Sequence, residues 1–186
     1  PFRPERVHAV GAEGHLFCFA AKDGALVWQK DFKKAYNLEI PEWGTAAHPL
    51  VDGDRLICVV GGAGTTCVAF DKRTGKELWR ALTSRQPGYC PPVIHTFGGL
   101  RQLIIWHSDG VEALNPQTGK VYWSGPLRPT FGMSIGHPVA AGNRLFVMSF
   151  NRVSACIEVA AAGQSAQIAW RGNTRRGAGG VHNPAF

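Results

Sequence analysis

The chain has 186 residues, of which 45% are hydrophobic and 18% are charged, and its formal net charge at pH 7 is +7. These values are typical of a globular protein with a sizeable core, and they exclude a disordered or collagen-like chain. Its apolar runs stop far short of the ~20 residues that a membrane-spanning helix needs, so no transmembrane segment is predicted. The start, PFRPERVHAV, has no initiator Met and no apolar targeting stretch, so we interpret the sequence as an excerpt without a signal segment.

Short segments that alternate apolar and polar residues predict strands along the whole chain and no helix. In chain order they form repeats over 1–32, 45–83, 88–127 and 134–172, and 181–186 is predicted to be the first strand of a further repeat. Each repeat reads as a four-stranded antiparallel meander. The first is the exception, since its innermost strand is missing or reduced to residues 1–4.

Two sets of residues recur with nearly the same spacing, which indicates copies of one unit. Trp28, Trp79, Trp123 and Trp170 are separated by 51, 44 and 47 residues. Pro49, Pro92, Pro138 and Pro184 are separated by 43, 46 and 46. A repeated four-stranded sheet of this length is typical of a β-propeller, so we predict an all-β fold with about four blades.

The stretch AFDKRTGKELW, residues 69–79, predicts a tight hairpin followed by a docking side chain. Asp71 and Thr74 are expected to accept hydrogen bonds from nearby backbone amides, and Gly75 supplies the positive φ of a bulged turn. Trp79 then offers a large flat surface to the neighbouring blade. The third repeat matches this pattern in full, at Ala113, Asn115, Thr118, Gly119 and Trp123. The first and fourth keep Trp28 and Trp170 but lose most of the rest.

The pattern from Ala69 to Trp79 resembles the repeat of the pyrroloquinoline quinone (PQQ) β-propellers, including the BamB-like proteins, and the resemblance covers the whole chain. It implies that each Trp docks on the next blade and that four blades are half of an eight-bladed ring. It also implies a periplasmic or otherwise extracytoplasmic location. The family includes both quinone dehydrogenases and cofactor-free scaffolds.

The leading functional prediction is a non-enzymatic scaffold that binds protein partners and needs no cofactor. In the dehydrogenases of the family, adjacent cysteines form a disulfide over the cofactor and oxygen ligands hold a metal. Neither feature is visible in this sequence, whose five cysteines are dispersed. Four of them, Cys18, Cys58, Cys67 and Cys156, lie in apolar alternating runs and are predicted to be buried. The alternative is a fragment of a quinoprotein oxidoreductase, which would bind PQQ and calcium in the channel near His48 and His137.

Binding is predicted at the mouth of the central channel, because the inner strands begin there and the connections between blades are basic. The basic residues are Lys30, Lys33, Lys34, Arg80, Arg85, Arg128, Arg171, Arg175 and Arg176. The candidate ligand-binding residues are His48, Tyr89, His137, His182 and Asn183, together with Arg175 and Arg176. Such a mouth would bind an acidic ligand or an acidic protein segment.

Other interpretations stay open at this point. The basic residues can be ordinary exposed side chains of a basic protein, and a His before Pro can be a simple preference at the start of a strand. Nucleic acid is not expected, since stacking platforms along a groove are missing. A triad with Ser134 and His137 lacks a nucleophile elbow.

Half of an eight-bladed ring leaves two sheet faces open, and self-association of the chain is therefore expected. Closure into a four-bladed ring, by pairing 182–186 with the incomplete first blade, is the competing arrangement.

Overall fold

The computed structural model describes residues 5–151 and 153–172, and β-strands dominate this part of the chain. The first sheet contains β1 (Arg6–Val10), β2 (His15–Ala20) and β3 (Leu26–Asp31). The second contains β4 (Leu50–Asp52), β5 (Arg55–Val59), β6 (Cys67–Asp71) and β7 (Glu77–Ala81). The third contains β8 (Val93–Phe97), β9 (Leu100–Trp106), β10 (Gly110–Leu114) and β11 (Val121–Pro126). The fourth contains β12 (Val139–Ala141), β13 (Arg144–Met148), β14 (Ser154–Val159) and β15 (Ala166–Arg171).

Each sheet is an antiparallel meander, because the order of its strands follows the chain. This confirms the predicted all-β propeller architecture. The first sheet has three described strands, and its β1 corresponds to the second strand of the other sheets. Residues 1–4 and the strand predicted at 181–186 lie outside the described residues, and the predicted blade limits stay a prediction.

The prediction that the chain contains no helix is wrong at two places. Helix α1 (Phe32–Tyr36) begins where the Asp31 side chain accepts a hydrogen bond from the backbone of Lys34, and it ends at Asn37 in the left-handed conformation. A 3₁₀ turn covers Thr130–Gly132. A single turn of helix is too short to show a 3.6-residue hydrophobic period, so the sequence pattern missed both. No described helix is long and apolar enough to cross a membrane.

The hydrophobic core lies between the blades. Three clusters of buried side chains each join two neighbouring sheets. Leu16 of β2 packs in one cluster with Leu56 and Phe70 of the second sheet, for example, and Ile57 of β5 packs in another with Leu103 of the third. Because side chains alternate across a strand, each blade contributes one face to the blade before it and the other to the blade after it.

Candidate functional site

The hairpin at 71–76 has the hydrogen bonds expected from its sequence. Oδ1 of Asp71 accepts from the backbone amides of Arg73 and Thr74, at 3.0 and 2.8 Å, and from the Thr74 hydroxyl at 2.9 Å. The Thr74 oxygen accepts from the amide of Lys76 at 3.3 Å. Gly75 has φ +71°, and its amide donates to the Asp71 carbonyl at 2.9 Å. These contacts set the register that leads to Trp79.

The hairpin of the third blade repeats the arrangement with an amide in place of the carboxylate. Oδ1 of Asn115 accepts from the backbones of Gln117 and Thr118, at 2.8 and 3.2 Å. The Thr118 oxygen accepts from the amide of Lys120, and Gly119 has φ +73°. Asp71 and Asn115 thus make equivalent hydrogen bonds to the backbones of their two turns.

Two tryptophans lie on the hairpin of the following blade. A Cβ atom built on Gly75 would lie 2.8 Å from Cε3 of Trp28, and one built on Gly119 would lie 2.6 Å from Cε3 of Trp79. Ala69 is the cross-strand partner of Trp79 and is fully buried, which leaves room for the indole. This geometry supports the predicted docking role of the motif.

The third blade meets the fourth through a different contact. Nε1 of Trp123 donates to the side-chain oxygen of Gln102 at 2.8 Å, and the amide nitrogen of Gln102 donates to the carbonyl of Gly163 at 2.6 Å. Gln102 is fully buried, and so is Ala113, the cross-strand partner of Trp123. A buried glutamine thus bridges Trp123 to a hairpin that has lost the Asp-Thr-Gly pattern. Trp170, in contrast, is 48% exposed.

The predicted mouth belongs to the connection face, which we define as the end of the propeller formed by segments 32–49, 82–92 and 127–138. His48 is exposed there, and its Nδ1 lies 3.2 Å from the carbonyl of Pro49. His137 is half-buried. Sequence reasoning missed His95, on β8, whose Nε2 lies 3.0 Å from the carbonyl of Pro138 in the next blade. Its position on an inner strand is the signal that could have identified it.

These three histidines, His48, His95 and His137, are close enough to influence one another. Burial lowers the pKa of His137, and the nearby charges of His95 and His48 lower it further. The channel mouth therefore favours a neutral His137, which acts as a cation only at acidic pH.

Aromatic side chains also meet on the connection face. The rings of Trp43 and Tyr89 contact edge to face with centroids 5.8 Å apart, and Trp43 is 53% exposed. Burial raises the pKa of Tyr89, and the charge of Glu42 adds to this shift. Phe131 is 72% exposed and has φ +56°, a left-handed backbone that is uncommon for a bulky residue.

Five of the seven described basic residues that the sequence placed on this face form ion pairs with acidic side chains. Ion pairs of 2.5–3.8 Å join Lys33 to Glu13, Lys34 to Asp31, Arg80 to Glu77, and both Arg85 and Arg128 to Asp109. Burial would raise the pKa of Asp109, but hydrogen bonds from Arg85 hold it below its usual value. The described part of the face is therefore far less basic than the connections alone suggest. Arg175, Arg176, His182 and Asn183 lie outside the described residues.

The remaining reactive side chains are buried. All five cysteines are free and buried, including the four for which burial was predicted, and burial raises the pKa of Cys90 to about 12. Ser134 is fully buried beside Gly88.

Comparison with known proteins places this fold among two groups of relatives. The family model described as "Outer membrane protein assembly factor BamB" matches residues 1–184. The 1-butanol dehydrogenase (quinone) of Thauera butanivorans is 26% identical over 140 residues, which are 65% of this chain and 21% of that protein.

Solved structures show the same fold. BamB from Moraxella catarrhalis has a TM-score of 0.63 and 19% identity over 88% of this chain and 46% of its own. The quinohemoprotein alcohol dehydrogenase ADHIIG from Pseudomonas putida HK5 has a TM-score of 0.63 and 13% identity over 90% of this chain and 32% of its own. The chain thus spans less than half the length of each of these relatives. The match to the family model over nearly every residue shows that the chain belongs to the family of PQQ-like β-propellers described as outer membrane protein assembly factor BamB.

Proposed function

We propose that the chain is a non-enzymatic, extracytoplasmic scaffold that binds other proteins through its connection face. The observation that carries this proposal is the presence of two exposed aromatic side chains there, Trp43 and Phe131. The Trp43 ring contacts the Tyr89 ring, and Phe131 itself has a left-handed backbone within a short 3₁₀ turn. Aromatic side chains fixed in one orientation lose little entropy on binding and commonly dominate protein interfaces.

The matched family indicates the class of partner. Its description is that of an assembly factor for outer membrane proteins, so we propose that the partner is a protein of that assembly process. The paired charges of Arg85, Arg128 and Asp109 fit this role, because ion pairs at the rim of an interface give orientation without a large desolvation cost.

Site-specific photo-crosslinking in the periplasm of a Gram-negative cell tests this proposal. A photoreactive phenylalanine analogue placed at Trp43 or at Phe131 should capture the same protein from both positions. Leu78 is the matched control, because it is 48% exposed but lies on the outer strand β7. With the captured protein purified, Trp43→Ala or Phe131→Ala should weaken binding about 30-fold or more, the effect of losing an interface hot spot, while Leu78→Ala leaves it unchanged. Equal capture from all three positions would contradict the proposal.

The second candidate is a part of a quinoprotein oxidoreductase, and the relationship to the Thauera butanivorans quinone dehydrogenase favours it. Calcium in such a site requires several carboxylate or amide oxygens. The described residues contain no group of three or more His, Cys, Asp or Glu side chains placed to bind a metal ion. They therefore do not fit the metal, and we derive no catalytic step through PQQ.

Titration of the chain with PQQ and calcium separates the two candidates. For the scaffold, neither the PQQ absorbance nor the melting temperature should change. A dissociation constant in the micromolar range would favour the quinoprotein, and ligand at 100 times that constant would stabilise the fold by about 2.7 kcal/mol. The crosslinking experiment has its own readout, so either result can be interpreted alone.

A further inference from the structure

Two of the contacts between successive blades use equivalent positions. In the first blade, the guanidinium of Arg6 donates to the carbonyl of Arg73 at 2.9 Å, beside the Gly75 on which Trp28 lies. In the third, Gln102 occupies the position of Arg6 and donates to the Gly163 carbonyl. In these two contacts the second strand of a blade supplies a donor to the next hairpin, and in the first two blades the fourth strand places an indole on that hairpin.

The fourth blade presents the same two groups without a described partner blade. We call this surface the Trp170 face, formed by Ala141, Arg144, Phe146, Cys156 and Trp170. The rings of Phe146 and Trp170 are 5.6 Å apart, and Cys156 is the cross-strand partner of both. This register gives Arg144 the position of Arg6 in the first blade. A cavity of about 260 Å³ on this face is lined almost wholly by apolar atoms.

The first blade presents the complementary surface, which we call the Gly24 face and define by Val7, Phe17, Phe19, Gly24 and Leu26. Val7 and Leu26 are about half exposed, and the rings of Phe17 and Phe19 stack with centroids 5.7 Å apart. Gly24 has φ +72°, close to the values of +71° at Gly75 and +73° at Gly119. No described atom lies within 4 Å of a Cβ built on Gly24, whereas the other two glycines are each covered by an indole.

We propose that two copies of this chain close head to tail into one ring, with the Trp170 face of each copy on the Gly24 face of the other. In each contact the Trp170 indole covers Gly24, and Arg144 donates to the carbonyl of Lys22, the counterpart of Arg73. The chain covers 46% of the BamB structure it resembles, so two copies together would span about the length of that propeller. A head-to-tail contact whose rotation closes after two copies gives a finite dimer.

Sedimentation equilibrium of the 186-residue chain tests this assembly. The wild type should have the mass of two chains. Trp170→Ala and Gly24→Asn should each raise the dimer dissociation constant at least about tenfold, since each removes one side of both contacts. Asn tolerates positive φ, so the second variant blocks docking without disturbing the hairpin. The controls are Trp43→Ala, at a similarly exposed Trp, and Gly53→Asn, at φ +59° with no described atom within 4 Å of its Cβ. Both should remain dimeric.

A mixing experiment identifies the geometry. A Trp170→Ala copy keeps a complete Gly24 face, and a Gly24→Asn copy keeps a complete Trp170 face. Their equimolar mixture should therefore form heterodimers more tightly than either variant forms homodimers. A wild-type monomer at about 100 μM would overturn the proposal, as would a dimer that Trp170→Ala breaks and Gly24→Asn does not. A mass that keeps rising with concentration would show an open chain and would also overturn it.

Discussion

The indole of Trp79 lies directly on the backbone of Gly119 in the next blade, so close that a Cβ atom there would be 2.6 Å from Cε3 of the ring. The same glycine has φ +73°. Two separate requirements thus fall on one residue: the hairpin needs a left-handed backbone, and the neighbouring blade needs a surface without a side chain. This explains why the turn and the tryptophan recur together in the sequence.

Gly119→Ala separates these two requirements when it is compared with Gly53→Ala. Both glycines have positive φ, but a Cβ on Gly53 meets no described atom within 4 Å. Gly53→Ala should reduce the free energy of unfolding by about 1–2 kcal/mol, the cost of a side chain on a left-handed backbone. Gly119→Ala should cost about 1–3 kcal/mol more, because the methyl group displaces the indole. Urea unfolding measures both, and equal losses would show that Trp79 does not press on this hairpin.

Trp79→Ala should reduce the free energy of unfolding by about 3–5 kcal/mol, the usual cost of deleting a packed aromatic side chain. The indole joins the cluster that Ile57 and Ala69 of its own blade form with Leu103 of the next. Leu78→Ala is the neighbouring control, since Leu78 is exposed on the same strand. Chemical denaturation of the two variants gives the comparison, and a nearly neutral Trp79→Ala would refute the docking role.

Gln102→Leu should destabilise the contact between the third and fourth blades. It leaves Nε1 of Trp123 and the carbonyl of Gly163 without their hydrogen-bond partner, and a buried group left unpaired costs about 1–3 kcal/mol. We expect a loss of about 2 kcal/mol or more in the free energy of unfolding. Gln117→Leu, at an exposed turn position, should be close to neutral. If the two variants unfold alike, Gln102 is not the bridge.

The sequence predicted most of the fold because the propeller is built from local signals. Alternation of apolar residues marks the strands, and the Asp71 hairpin contains its own acceptor and glycine within five positions. Gln102 could not be predicted, since its partners Trp123 and Gly163 come from other strands and from another blade. A polar residue in an apolar strand gives no indication of which distant group it satisfies.

The candidate site was predicted less well than the fold, for an electrostatic reason. The sequence shows that Arg85 and Arg128 lie in connections, but only the fold brings Asp109 of a separate hairpin between them. His95 was missed because it lies inside a strand rather than at its start. Charge counted along a segment therefore overstated the positive potential of the face.

His137 should titrate below the ordinary histidine pKa of about 6.5. The folded state then binds its proton less readily than the unfolded state, so stability is full above about pH 6.5 and falls as pH drops through this value. Proton NMR of the imidazole measures the midpoint directly. In a His48→Gln, His95→Gln variant the midpoint should rise, because the neighbouring charges are gone while burial remains. An unchanged midpoint would show that these neighbours do not act on His137.

Binding of an acidic ligand at the mouth should be strengthened by acid. A neutral His137 offers no charge to an anion at pH 7.5, whereas lowering the pH to 5.5 increases its protonated fraction, and by linkage a bound anion raises the pKa of His137. A short poly-glutamate peptide is a suitable probe, followed by calorimetry at low ionic strength. Its affinity should increase between these pH values in the wild type, and the increase should disappear in a His48→Ala, His137→Ala variant. If the variant keeps the same pH dependence, the group that titrates on binding is neither His48 nor His137, and the proposed role of the mouth is wrong.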